Sequence, residues 1–147
     1  MKVILRVYNI GDPEIVKLLN NVLKKEFLGI WHTSIEVYGK EFFYDNQICK
    51  VLPNCSKHKI PHTIHDMGTT EILEEEFELF LANLNEKYGL NTYDLLFNNC
   101  NHFTNDCILF LVNKSIPSYI TDVHETAIEN ECILNIVKMF LGNEGYK

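Results

Sequence analysis

The chain lacks a long apolar run. No stretch approaches the roughly 18 consecutive apolar residues of a membrane span, so no transmembrane helix is expected. Positive charge is scarce as well: 13 Lys and Arg stand against 20 Asp and Glu, giving a formal net charge of -7. Phosphate-binding surfaces concentrate Lys and Arg, which argues against nucleic acid as a partner. The cysteines form no framework. Positions 49, 55, 100, 107 and 132 are odd in number and irregular in spacing, which predicts free thiols in a reducing cytoplasmic setting, with the nucleus a further expected location. The opening Met1-Lys2-Val3-Ile4-Leu5-Arg6 is too short and too soon charged for a secretory signal. Asn54-Cys55-Ser56 and Asn113-Lys114-Ser115 are therefore read as chance matches to the glycosylation pattern. Internal repeats and low-complexity segments are missing too, and no cofactor is expected.

What is present suits one domain: 147 residues with 46% apolar and 22% charged content can bury a core of their own. Residues 3–8 are β-branched and aromatic, predicting a strand. Asp12-Pro13-Glu14 is a helix start, followed by Ile15, Leu18, Leu19, Val22 and Leu23 at helical spacing and by Gly29 as a stop. A strand over 30–37, a two-residue Gly-X turn and a return strand over 41–44 predict a hairpin. Alternation along its first strand puts His32, Ser34 and Glu36 on one mixed polar side, with Trp31, Thr33, Ile35 and Val37 on the other. Residues 46–68 read as a long loop with one short strand over 48–52, a length typical of a substrate-contacting flap.

Residues 71–88 predict a helix that buries Leu73, Phe77, Phe80, Leu81, Leu84 and Tyr88, with Glu71, Glu74, Glu75 and Glu76 at its positive end. A second helix is predicted from Cys100 to near Val112. Residues 116–120 read as extended, with a short helix after Thr121-Asp122. A last helix over 131–141 turns Ile133, Ile136, Val137 and Phe140 inward, and Gly142 closes it. The class is α+β, a small antiparallel sheet packed against helices.

The chain is organised around Asn98-Asn99-Cys100-Asn101-His102-Phe103-Thr104-Asn105-Asp106-Cys107 and the apolar residues 108–112 behind it. Asn favours turns and caps, so Cys100 falls in the first turn of a buried helix. Free N–H groups and the macrodipole favour a thiolate there. A nucleophilic thiol needs a base, and His32 beside Trp31 is the best-placed imidazole. Spacing alone leaves the plainer alternative open, a core cysteine and a hydrogen-bonded histidine. Cys107, two turns further on, is read as a small core residue. Cys55, His58, His62 and His65 invite comparison with a zinc site, but Pro61 interrupts them and no second Cys pair completes a pattern, so no metal is expected. Glu74-Glu75-Glu76 is read as a solvated helix face.

Trp31-His32-Thr33-Ser34-Ile35, Gly39-Lys40-Glu41-Phe42-Phe43-Tyr44, Asn99-Cys100-Asn101-His102-Phe103 and Ile116-Pro117-Ser118-Tyr119-Ile120 together resemble the PPPDE family of permuted papain-fold (NlpC/P60-type) thiol peptidases, which includes the desumoylating isopeptidases. The resemblance spans residues 3–125. It implies Cys100 as nucleophile and His32 as base, in the permuted order with the histidine first. It implies as partners proteins carrying SUMO or ubiquitin, and also a homodimer. A protein S-acyl thioesterase with the same dyad is the second reading, and a non-catalytic peptide-binding module the third. Asn99, Asn101 and Trp31 are expected to stabilise the oxyanion or position substrate, although capping and packing roles are open to all three. The chain departs from the family at Asp45, where a Gly is usual, at His102, which is expected to cap rather than catalyse, and in the 54–62 loop.

Overall fold

β1 (Lys2–Asn9) is the strand on which the rest is assembled. It pairs antiparallel with β2 (Trp31–Val37) on one side and β5 (Thr63–Thr69) on the other. β3 (Lys40–Tyr44) and β4 (Ile48–Val51) extend the sheet outward from β2, giving the order β4-β3-β2-β1-β5. The helices are α1 (Pro13–Leu23), α2 (Glu74–Asn83), α3 (Cys100–Val112) and α4 (Ser118–Glu129). The computed structural model describes residues 1–130 together with Asn135 and Met139. The helix expected over 131–141 lies outside the described residues, apart from those last two, which are helical.

The core follows from two apolar faces. Val3, Leu5 and Val7 of β1, Ile35 and Val37 of β2 and Phe42 of β3 pack against Phe103, Cys107, Ile108 and Leu111 of α3, with Phe77 and Tyr88 closing the far side. A second cluster joins Val16 and Leu19 of α1 to Ile30, Leu96, Val123 and Ala127. α3 is thus a central helix lying on the sheet, as its unbroken apolar sequence predicts. Cys107 is fully buried there.

Several boundaries differ from expectation, each for a local reason. The β2–β3 turn is Tyr38-Gly39, one residue earlier than the Gly-X placement; both residues have positive φ (55° and 71°), the geometry that matches strand twist. The expected 46–68 loop shrinks to 52–62, because residues 63–69 form β5. That strand is an edge strand with only Met67 buried, so its Thr, His and Asp residues hide the strand signal. Gly68, at φ 109°, carries the register shift opposite Val3 and Ile4. α1 is capped by Asp12, whose Oδ1 accepts from the Glu14 amide at 2.8 Å, but it ends at Lys24 in the left-handed region, well before Gly29. Its buried face is centred on Val16 and Leu19, leaving Leu18 and Val22 exposed. α2 begins at Glu74, where Glu76 accepts from the Leu73 amide at 2.8 Å, so Leu73 stays outside the core. Residues 118–120 are helical, not extended: Pro117 fixes the entry to α4, and Ile120 is buried in its first turn.

Candidate active site

The Asn-rich stretch makes a shaped entry into α3. Asp94 and Asn98 exchange backbone hydrogen bonds of 3.1 and 3.0 Å, and Asp94 Oδ1 accepts from the amides of Leu96 and Phe97. Asn98 Nδ2 donates to the carbonyls of Lys87 and Thr92. Asn99 is the N-cap: its Oδ1 accepts from the amides of Asn101 (2.9 Å) and His102 (3.2 Å), and its Nδ2 donates to Leu95 O. His102 Nδ1 accepts from the Asn99 amide at 3.1 Å, so His102 completes the cap as expected.

Asn101 ties this helix start to β2. Its Oδ1 accepts from Thr33 Oγ1 at 2.8 Å and its Nδ2 donates to Trp31 O at 3.0 Å; one turn on, Thr104 Oγ1 donates to Thr33 O at 3.3 Å. These bonds press the first turn of α3 against residues 31–33. The Cys100 thiol donates to Asn101 Oδ1 at 3.7 Å, and the Thr33 and Asn101 backbone N–H groups and the Tyr93 hydroxyl act to favour its thiolate. The turn that carries Cys100 therefore packs against the strand that carries His32.

Burial outweighs those donors. Cys100 is only 4% exposed, and loss of hydration pushes its thiol up to about 11. The expectation of a resting thiolate at the helix start is thus corrected: the donors and the macrodipole are present, but desolvation dominates. Tyr93, partly buried beside Cys100, is raised as well.

His32 sits on the sheet face opposite Thr33, and that face is not open. The imidazole is 6% exposed, enclosed by Tyr8 (5.8 Å between ring centroids), Phe43 (5.9 Å) and His58 (4.4 Å). Burial first, then the charges of His58 and Lys57, hold it well below the usual histidine range. Burial therefore favours the neutral form of both groups. Beneath the rings Tyr8 donates to Glu41 Oε1 at 2.5 Å, Ser34 Oγ donates to the same oxygen at 2.7 Å, and Arg6 Nε donates to Tyr8 at 2.9 Å. Glu41 is fully buried, and Arg6 is held from outside by Glu36 at 2.7 Å.

The residues singled out in the sequence therefore separate by role. Cys100 and His32 come from different elements, α3 and β2, which are tied together by the bonds of their neighbours Asn101, Trp31 and Thr33. The side-chain amides of Asn99 and Asn101 are committed to the cap and to β2, so what they position is the helix start. Trp31 is buried between His62 (5.3 Å) and an edge-on Tyr119 (5.7 Å). The residues compared with a zinc site diverge: His58 lies on His32, His62 Nδ1 pairs with Thr63 Oγ1, and His65 Nε2 pairs with Tyr119 OH. Sequence reasoning missed Tyr93, Glu41 and His58 as neighbours of the site. For Tyr93 the only available signal is its place in the turn before the cap. For His58, in a loop without period, there is none.

A family model described as "PPPDE putative peptidase domain" matches residues 1–140. The protein named desumoylating isopeptidase 1 from Xenopus laevis is 39% identical over 121 residues, spanning 81% of this chain and 72% of the relative. Its Homo sapiens counterpart is 38% identical over the same shares. A DeSI-like protein from Arabidopsis thaliana is 31% identical over 123 residues, 79% of this chain and 54% of the relative. A cysteine at a capped helix start, a histidine on the adjoining strand and a match along nearly the whole chain lead to one conclusion: this protein belongs to the PPPDE peptidase family.

Proposed function

We infer that the chain is a cysteine isopeptidase that cleaves SUMO from lysine, with Cys100 as nucleophile and His32 as general base. The observation that carries this is the bonding of the first turn of α3, which holds Cys100, to residues 31–33, which hold His32. The names of the relatives support the substrate class.

In the reaction the Cys100 proton passes to His32 as Sγ attacks the carbonyl carbon of the modifier's last glycine. The oxyanion faces the backbone N–H groups at the start of α3, where the macrodipole also favours negative charge. The C–N bond then breaks, and the proton on His32 goes to the departing lysine Nζ. Water attacks the acyl-thioester and gives a proton to His32; the C–S bond then breaks, the modifier leaves with its C-terminal carboxyl group, and the His32 proton returns to Cys100 Sγ. Burial favours the neutral form of both groups, so the thiolate–imidazolium pair is formed during the attack rather than stored beforehand. A Gly-Gly tail fits a narrow channel, and Trp31 with the 52–62 loop is suited to wall it. Leu52, Ile60 and Ile64, exposed on that loop and on β5, offer apolar surface to the body of the modifier.

Incubating the protein with SUMO–lysine and ubiquitin–lysine conjugates and with an acyl-thioester probe tests this. Expected is cleavage of the SUMO conjugate, abolished in Cys100→Ala. Turnover of the thioester probe alone, or of nothing, contradicts it.

A further inference from the structure

Three rings surround His32, and they differ in origin. Tyr8 and Phe43 are fixed by β1 and β3. His58 comes from the 52–62 loop, yet it lies closest, at 4.4 Å with the ring planes 37° apart, and it also packs on Tyr8 at 5.5 Å. The path that brings it there is well tied. Cys55 N donates to Leu52 O and Lys59 N to Ser56 O, each at 3.0 Å, the second closing a turn with His58 inside it. Asn54 accepts from Arg6, Lys57 pairs with Asp45 at 2.8 Å, and His62 N donates to Val7 O at 2.8 Å. Ser56 is buried beneath the turn. Among the described residues no carboxylate or side-chain amide is hydrogen-bonded to His32, the usual means of orienting a catalytic imidazole.

We propose that His58 is the positioning residue of the His32 base: the 52–62 loop lays its imidazole on the His32 ring, fixes that ring's rotation and keeps water from its face. This rests on the reading of Cys100 and His32 as nucleophile and base. A strand histidine held only at its backbone is free to turn about its terminal torsion, and a packed ring face removes that freedom. Neutral, His58 is a polarisable surface for the imidazolium that forms during acyl transfer. Protonated, it opposes the same proton. The groups facing His32 are Arg6 and Tyr8 from β1, Glu41 and Phe43 from β3, Asp45 just beyond it, and Lys57 and His58 from the loop. Asp45 already holds the Lys57 charge, which leaves His58, itself held below the usual histidine range by burial, as the group whose titration reaches His32.

The test is the rate of Cys100 alkylation by iodoacetamide, read by peptide mass mapping across pH 5 to 9. It compares wild type, His58→Ala, His58→Phe, His32→Ala and the His32→Ala/His58→Ala pair. His58→Ala is expected to slow labelling at pH 7 on the order of tenfold when His32 is present and to change nothing further when it is absent. His58→Phe keeps a ring in place and is expected to recover most of the rate. Its acidic limb should move to higher pH, since the imidazolium that resisted protonation of His32 is gone. An unchanged rate in His58→Ala, an equal loss in both backgrounds, or no recovery with Phe overturns the proposal. A His32→Ala profile identical to wild type overturns the base assignment itself, and the role of His58 with it. That outcome is read from a variant in which His58 is intact.

Discussion

At the scale of single residues, burial is the largest influence on the cysteines and histidines in and behind the site whose titration is shifted. Cys100 and Cys107 are raised, while His32, His58, His102 and His124 are lowered. His124 on α4 is the clearest case: burial and the neighbouring His102 bring it down to about 4, and its Nδ1 has no hydrogen-bond partner. Above its unfolded value of about 6.5 this histidine is neutral in both states, and stability is full. As pH falls from about 6.5 toward 4 the unfolded chain takes up a proton that the native state refuses, so stability is lost, by ~3 kcal/mol from His124 alone. Urea denaturation between pH 7 and 4.5 should show this decline, with a slope shallower by about one proton in His124→Leu. Stability that is flat across the window, or an unchanged slope in the variant, contradicts it. None of these shifts is legible in a sequence, because each depends on which faces are covered. The polar alternation of β2 makes His32 look accessible, yet Tyr8, Phe43 and a loop from 26 positions later in the chain enclose it.

At the scale of elements, the site exists because α3 and β2 are joined at one point. Asn101 makes two side-chain bonds to β2, and Thr104 adds a third one turn later. Asn101→Ala leaves the Trp31 carbonyl and the Thr33 hydroxyl without those partners in a buried setting, which costs about 2–4 kcal/mol. Denaturant titration should read that loss. Labelling of Cys100 should fall with it, while Asn105→Ala, away from the β2 contact, serves as a control. A variant within about 0.5 kcal/mol of wild type means that the contact does not hold the elements together. The start of α3 was plain from the sequence, since Asn before a cysteine and a long apolar run is a cap signal with a mechanism. Its tether to β2 was not, because an Asn serves equally well as cap, turn or bridge. β5 was lost for a different reason: an edge strand buries one residue in seven here and so carries no alternation to read. α1 shows the converse. Its apolar residues follow helical spacing, but the helix turns Val16 and Leu19 inward and leaves Leu18 and Val22 to solvent, so periodicity located the helix without fixing its rotation.

At the scale of the whole molecule, one sheet and one central helix bring together residues 68 positions apart, and the chain order of histidine then cysteine follows from β2 preceding α3. The α+β class and the PPPDE family could be read from four short motifs, because those motifs encode the hairpin, the helix start and the α4 entry that build the site. The 52–62 loop lies between them and carries none of these motifs. Exposed Leu52 and Ile60 and the contact of His58 with His32 lie in this single segment. The most direct test of the dyad is labelling by a SUMO chain whose C-terminal glycine is replaced by a thiol-reactive electrophile. One adduct at Cys100 is expected, absent in Cys100→Ser, slowed on the order of a hundredfold or more in His32→Ala, and weaker with the ubiquitin equivalent. Labelling at the exposed Cys55 instead, or an adduct at Cys100 that forms equally fast without His32, contradicts the assignment.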